Sequence, residues 1–137
     1  FNTNIESCTA HFIQRSMINV IGGDTSGPDA ILDELRKRRD AAVEGLNAID
    51  GISINTPNST FYLFPNVTKI MERKRLTDVN QLMTEALTET GVSFCTRKHF
   101  GRSIEGETDY YLRFAYSGID VDNINEGMVR LKKYFET

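Results

Sequence analysis

The sequence predicts an α/β two-layer (α+β) domain in which a small, mainly antiparallel sheet is covered by helices on one face. Two patterns carry this expectation. Along Tyr110–Tyr116, side chains alternate so that Tyr110, Leu112, Phe114 and Tyr116 share one face, and Tyr111, Arg113 and Ala115 the other. After Asp120, the residues Val121, Ile124, Met128, Leu131 and Phe135 recur at the spacing of one helix face. No internal repeat or low-complexity segment interrupts the chain.

At 15.5 kDa, with 39% hydrophobic and 26% charged residues, the chain has the size and composition of one globular domain with a real core. Its net charge of −3 gives no general attraction to nucleic acid or an anionic membrane. No apolar run approaches the ~20 residues needed to span a bilayer, and the N-terminus lacks the layout of a secretory signal. A cytoplasmic protein is expected. Cys8 and Cys95 are far apart, which argues for reduced thiols rather than a zinc site or disulfide framework, and no metal site is expected. A start at Phe1 rather than Met points to a fragment or a processed product.

The elements follow in order. Ile13, Met17, Val20 and Ile21 form a helix-face set within residues 5–21, ended by Gly22-Gly23. Pro28 suits a first helical position, and a long helix of about 28–49 is expected, with Ile31, Leu35, Ala42, Leu46 and Ile49 along one side. Its run Arg36-Lys37-Arg38-Arg39 reads as a solvated face partnered by Asp33, Glu34 and Asp40, rather than as a phosphate site. Ile52–Ile54 reads as a short strand. Thr60–Phe64 reads as another, stopped by Pro65, with Phe61, Leu63 and Pro65 on one face and Tyr62 and Phe64 on the other. Residues 67–76 contain Glu72-Arg73-Lys74-Arg75 and look too polar for core. Thr77 is placed to cap a helix through Thr90, with Val79, Leu82, Met83, Ala86 and Leu87 inward and Gly91 as its left-handed cap. A strand over Val92–Cys95 follows. The glycine-punctuated loop Arg102–Thr108 is expected to be mobile, and the final helix starts at a capping Asp120.

Arg113 is the residue that points to chemistry. A lone guanidinium at the centre of a strand is costly unless an anion meets it. Two partners are open: a carboxylate of the same chain, or the carboxylate of a small molecule, whose planar group matches the guanidinium fork bidentately.

Larger motifs add a resemblance. Gly91-Val92 leading to Phe100-Gly101, then Tyr111-Leu112-Arg113-Phe114-Ala115-Tyr116-Ser117 and a closing amphipathic helix, resemble the C-terminal end of class I/II aminotransferases, pyridoxal-phosphate enzymes of fold type I. Ser59-Thr60-Phe61-Tyr62-Leu63-Phe64-Pro65 is similar to the family's strand before its small-domain crossover. Glu6-Ser7-Cys8 with Phe12-Ile13-Gln14 resembles the segment after the family's cofactor lysine. The resemblance runs colinearly over nearly all of the chain. It departs at Thr96-Arg97-Lys98-His99, where the family usually carries Pro-Gly. His99 there is expected to be a surface-loop histidine rather than a proton carrier.

The resemblance implies that residues 1–137 are the small C-terminal domain of an aminotransferase, with the long helix as its link to an absent large domain. It implies that Arg113 pairs with the α-carboxylate of an amino acid or 2-oxo acid substrate, with Thr60 and Phe61 bordering the substrate side chain. It further implies pyridoxal 5'-phosphate as cofactor of the complete enzyme and a homodimeric full-length protein. Transamination needs a lysine that forms the Schiff base and moves the proton. None of Lys37, Lys69, Lys74, Lys98, Lys132 and Lys133 sits in such a motif, so this chain alone is expected to be inactive, with no catalytic or cofactor-binding residue of its own. A fold-type-I lyase or decarboxylase fragment, or a non-catalytic binding or assembly module of the same fold, would be the alternatives.

Overall fold

The structure is a computed structural model that describes residues 9–137, so Glu6, Ser7 and Cys8 lie outside the described residues. The chain forms two compact units, Phe1–Asp33 and Glu34–Thr137. The boundary falls inside the long helix that the sequence predicts.

In the first unit, α1 spans His11–Ile21. Its expected inward set is exposed: Ile13, Met17, Val20 and Ile21 all face solvent, as do Phe12 and Ile18. The periodicity identified the helix correctly, but a periodic apolar face reports only that something should cover it. Helix α2 runs Ser26–Asn47. Pro28 is therefore its third residue rather than its first, which costs nothing because first-turn N–H groups have no intrahelical acceptor. Asp24 accepts from the Ser26 backbone N–H at 2.9 Å and from its hydroxyl at 2.7 Å, so its carboxyl is held below the usual range by those hydrogen bonds.

The second unit holds the core. From α2 it takes Ala42, Val43 and Leu46, with Ile49 just beyond the helix end, while Ile31 on the earlier half is exposed. The basic run has acidic partners as expected: Arg38 pairs with Glu34 at 3.1 Å, Lys37 with Glu34 at 3.9 Å and Arg39 with Asp40 at 2.7 Å. Arg38 and Arg39 are partly buried rather than solvated, however, and Arg38 also donates to the Ser117 carbonyl at 2.7 Å.

Three short strands follow, β1 (Tyr62–Leu63), β2 (Cys95–Thr96) and β3 (Leu112–Ala115). They form one antiparallel sheet in the order β1-β3-β2. Each is shorter than its apolar run suggested, and Ile52–Ile54 contributes only the bridge Ser53–Asn66. The register sets Tyr62 opposite Ala115, Leu63 opposite Phe114 and Cys95 opposite Arg113.

Leu63, Leu112, Phe114 and Tyr116 are buried together with residues of the helices. Phe61, expected on their face, is instead 38% exposed. It precedes the paired strand, and Thr60 before it has φ 64°, so the strict alternation of a strand does not reach back to it.

Residues judged too polar for core turn out to supply some of it. They form the one-turn helix α3 (Thr68–Arg73), and Val67, Ile70 and Met71 are buried. Helix α4 (Val79–Thr90) is capped by Asp78, not Thr77: the Asp78 carboxylate accepts from the Asn80 N–H at 3.1 Å. Its buried residues are Val79, Leu82, Ala86 and Thr90, with Met83 partly covered and Leu87 exposed. Gly91 closes it at φ 71°, the left-handed conformation that favours glycine.

Helix α5 (Val121–Glu136) starts at Asp120, whose carboxylate accepts from the Asn123 N–H at 2.8 Å. Ile124, Leu131 and Phe135 are buried, as the stripe predicted. No helix among the described residues is long and apolar enough to cross a membrane.

Candidate functional site

Strand alternation splits β3 between two environments. Leu112 and Phe114 point into the core, so Arg113 between them must point the other way. It shares that open face with Tyr111 and Ala115, with Tyr62 of β1 and with Cys95 of β2. Phe64, next along from β1, stacks on Tyr111 with ring centroids 5.2 Å apart and planes 5° from parallel.

The guanidinium is half-buried between two aromatic rings. Its Cζ lies 4.4 Å from the Tyr62 ring centroid and 4.0 Å from that of Phe100, distances at which a cation gains from the electron-rich ring faces. Its Nη2 also approaches Cys95 Sγ at 3.8 Å. Among the described residues no carboxylate pairs with it, although most other arginines of the second unit have acidic partners. Of the two partners open to Arg113, the intramolecular carboxylate is thus not found. What remains is a fixed cation, flanked by apolar surface, with its hydrogen-bond donors uncommitted to any acid. A guanidinium fork matches the geometry of a planar anion such as a carboxylate.

Phe100 reaches Arg113 from a 3₁₀ turn, Arg97–Phe100, that occupies the basic segment Thr96–His99. The turn is closed by a capping box. The Thr96 backbone N–H donates to His99 Nδ1 at 3.2 Å, and the Thr96 hydroxyl, 2.9 Å from that nitrogen, donates to Asn80 Oδ1 at 2.9 Å. Thr96 is fully buried, which anchors the turn to α4. His99 is exposed, as expected, yet its ring has a structural task. Gly101 follows with φ 118°, a conformation that glycine alone adopts without strain. The following loop is tied back: Arg97 pairs with Glu107 at 3.0 Å and donates to the Arg102 carbonyl at 3.1 Å.

Thr60 and Phe61 lie at the other side of the site. The Phe61 ring packs against Tyr62 at 4.6 Å between centroids, which links it to Arg113 through the shared ring. The Thr60 hydroxyl accepts from the Tyr62 N–H at 3.2 Å, and its carbonyl accepts from the Tyr116 hydroxyl at 2.8 Å. Burial pushes the Tyr116 phenol up, so it stays protonated as that donor. The structure therefore brings Arg113 and Phe61 into one aromatic cluster and gives Thr60 a backbone-fixing role. Tyr62 and Phe100 were not singled out as neighbours of Arg113 by the sequence. Strand pairing could have suggested Tyr62, but only the turn geometry delivers Phe100.

A cleft of about 520 Å³ also opens on the covered side, lined by Leu63, Val92, Phe114, Ile124 and Met128 among others. It does not include Arg113.

Comparison with known proteins finds aminotransferases. No family model matches the sequence. Curated relatives do: the asparagine–oxo-acid transaminase of Streptococcus mutans serotype c is 28% identical over 123 residues, covering 90% of this chain and 30% of the relative. The aspartate aminotransferase of Sulfurisphaera tokodaii is 27% identical over 133 residues, covering 97% and 32%. Among solved structures, the aspartate aminotransferase of Rhizobium meliloti superposes with a TM-score of 0.74 at 22% identity, covering 98% of this chain and 33% of that one. The chain is a homologue of fold type I aminotransferases. It spans about a third of the length of the aminotransferases it matches, and its three-stranded antiparallel sheet with helices is part of the aminotransferase fold.

Aminotransferase chemistry requires a Schiff-base lysine, a phosphate cradle and an acid for the pyridine nitrogen of pyridoxal phosphate. The open face that carries Arg113 holds no lysine. Of the chain's six lysines, Lys37 and Lys98 pair with Glu34 and Asp78, Lys74 lies over the Tyr134 ring, and Lys132 donates to the Ala48 carbonyl. The open face therefore lacks the Schiff-base lysine this cofactor needs, and the described residues form no group of three or more His, Cys, Asp or Glu side chains able to hold a metal ion.

Proposed function

We propose that this chain is the C-terminal small-domain part of a pyridoxal-phosphate-dependent aminotransferase that moves an amino group between an α-amino acid and a 2-oxo acid. In this reading Arg113 binds the substrate α-carboxylate. The observation that carries it is the guanidinium held between Tyr62 and Phe100 with no acidic partner among the described residues. An arginine so placed gives two parallel hydrogen bonds to a carboxylate, which fixes the orientation of the substrate as well as binding it. The ring faces on either side shield it in part from water, which strengthens those bonds. Phe61 and Thr60 border the path of the substrate side chain.

Residues beyond this chain would hold the cofactor, which supplies the electron sink for the transfer. On its own the chain should not transaminate. The complete protein would work in the cytoplasm as a homodimer on small-molecule substrates, with no nucleic acid or membrane partner. The relatives named for asparagine and aspartate leave the amino donor of this protein undefined.

The test is Arg113→Lys in the complete protein. Lysine keeps the charge and loses the fork. KM for both the amino acid and the oxo acid should rise, and kcat/KM should fall by roughly ten- to a hundred-fold. Unchanged kinetics would remove Arg113 from the site. An intact mass no greater than this chain's, with no borohydride-reducible absorbance after addition of pyridoxal phosphate, would favour a binding module instead.

A further inference from the structure

We propose that His99 is a positioning residue, whose capping of the 3₁₀ turn holds Phe100 over Arg113 and so sets the place of the guanidinium. The inference deepens the carboxylate-receptor reading and draws its importance from it.

Three observations combine. A 3₁₀ turn of four residues has little stability of its own, because its hydrogen bonds are few and poorly aligned. This one carries no proline to fix its entry, and the residue after it, Gly101, is the most flexible type. What closes it is the reciprocal cap, in which His99 Nδ1 takes the Thr96 N–H at 3.2 Å while the buried Thr96 hydroxyl is held on Asn80 at 2.9 Å. The next residue along, Phe100, is 43% exposed, so core packing does not fix its ring. Its contact with the Arg113 guanidinium, 4.0 Å from Cζ to centroid, depends on the turn. The chain of support runs from α4 through Asn80 and Thr96 to His99, then Phe100, then Arg113.

The neighbours of His99, Arg97 and Lys98, are engaged elsewhere, with Glu107 and Asp78. A ring nitrogen that accepts one backbone N–H is what the third position of a capping box requires, and Glu or Gln ordinarily supplies it. That makes glutamine the conservative replacement.

The test uses the complete protein labelled with ¹⁵N-arginine, with the Arg113 Nε–H resonance assigned by its loss in Arg113→Lys. Lying against the Phe100 ring, that resonance should carry a ring-current shift. Phe100→Leu should abolish the Phe100 part of the shift. His99→Ala should move the resonance the same way, and His99→Gln should restore it. KM for the oxo acid should rise about five-fold in His99→Ala with kcat nearly unchanged, and return within about two-fold in His99→Gln.

An unmoved resonance in His99→Ala, or a His99→Gln protein that behaves like His99→Ala, would overturn the proposal. A resonance that moves while KM stays constant would support the positioning role and count against the carboxylate reading instead. Fold loss would be recognised by shifts across all the arginines rather than at Arg113 alone.

Discussion

The two faces of β3 are built from alternate residues of one short stretch, yet they answer to different demands. Leu112, Phe114 and Tyr116 are buried against Leu63, Leu131 and the other core residues. Arg113, one residue away, lies against two aromatic ring faces and a thiol. The buried face is satisfied by apolar contact and gains stability from it. The open face holds a charge that the described residues leave without an acid, an arrangement that adds little to stability. A strand can serve both ends because its period of two keeps the sets apart.

Substitutions that exchange the demands should therefore behave oppositely. The largest effect is expected for Leu112→Ala. Removing a fully buried side chain at the sheet centre should cost about 2–5 kcal/mol in urea unfolding. A loss below 1 kcal/mol would mean that the covered face is not the core. Gly45→Ala comes next. A Cβ there would collide with Met128 Cγ and sit 2.7 Å from its Cβ, so α2 and α5 must separate or Met128 must repack. Overpacking of this kind costs roughly 1–3 kcal/mol, and unchanged stability would show that the two helices have room to spare.

By contrast, Arg113→Leu should leave stability within about 1 kcal/mol, since the lost ring contacts are offset by the loss of an unpaired half-buried charge. A severe loss of stability would recast Arg113 as a structural residue.

The smallest effect concerns the cap of α5. The Asn123 backbone N–H, then the Asn123 side chain, hold the Asp120 carboxyl below its ordinary value of 3.8. A carboxyl depressed in the folded state contributes stability that is present above its unfolded value and lost as pH falls through its folded one. Asp120→Asn keeps a capping oxygen but cannot titrate. It should match the parent near pH 7 and show a shallower loss of stability below about pH 4. Identical acid limbs would remove Asp120 from that transition.

What could be read from the sequence was whatever repeats over several turns or sits at a chemically singular position. The α5 stripe, the Gly91 cap and the alternation of β3 fall in that class, and so does Arg113. One-turn helix α3 escaped because Ile70 and Met71 are only two apolar residues beside Glu72-Arg73-Lys74-Arg75, too few for a period. Thr77 and Asp78 both cap well, and sequence does not choose between adjacent good caps. The apolar face of α1 was legible as a helix but not as exposed, because periodicity does not say whether a partner is present. The cover of Arg113 by Phe100 spans 13 positions and depends on a 3₁₀ turn whose cap uses a histidine in place of the usual Glu or Gln. Local pattern has no access to that.

The measurement that bears most directly on the account is a calorimetric titration of a 2-oxo acid into the complete protein, compared with its Arg113→Leu variant. If the uncommitted guanidinium is the carboxylate receptor, losing two charge-assisted hydrogen bonds should weaken binding by roughly a hundred-fold. Equal dissociation constants for the two proteins would contradict it.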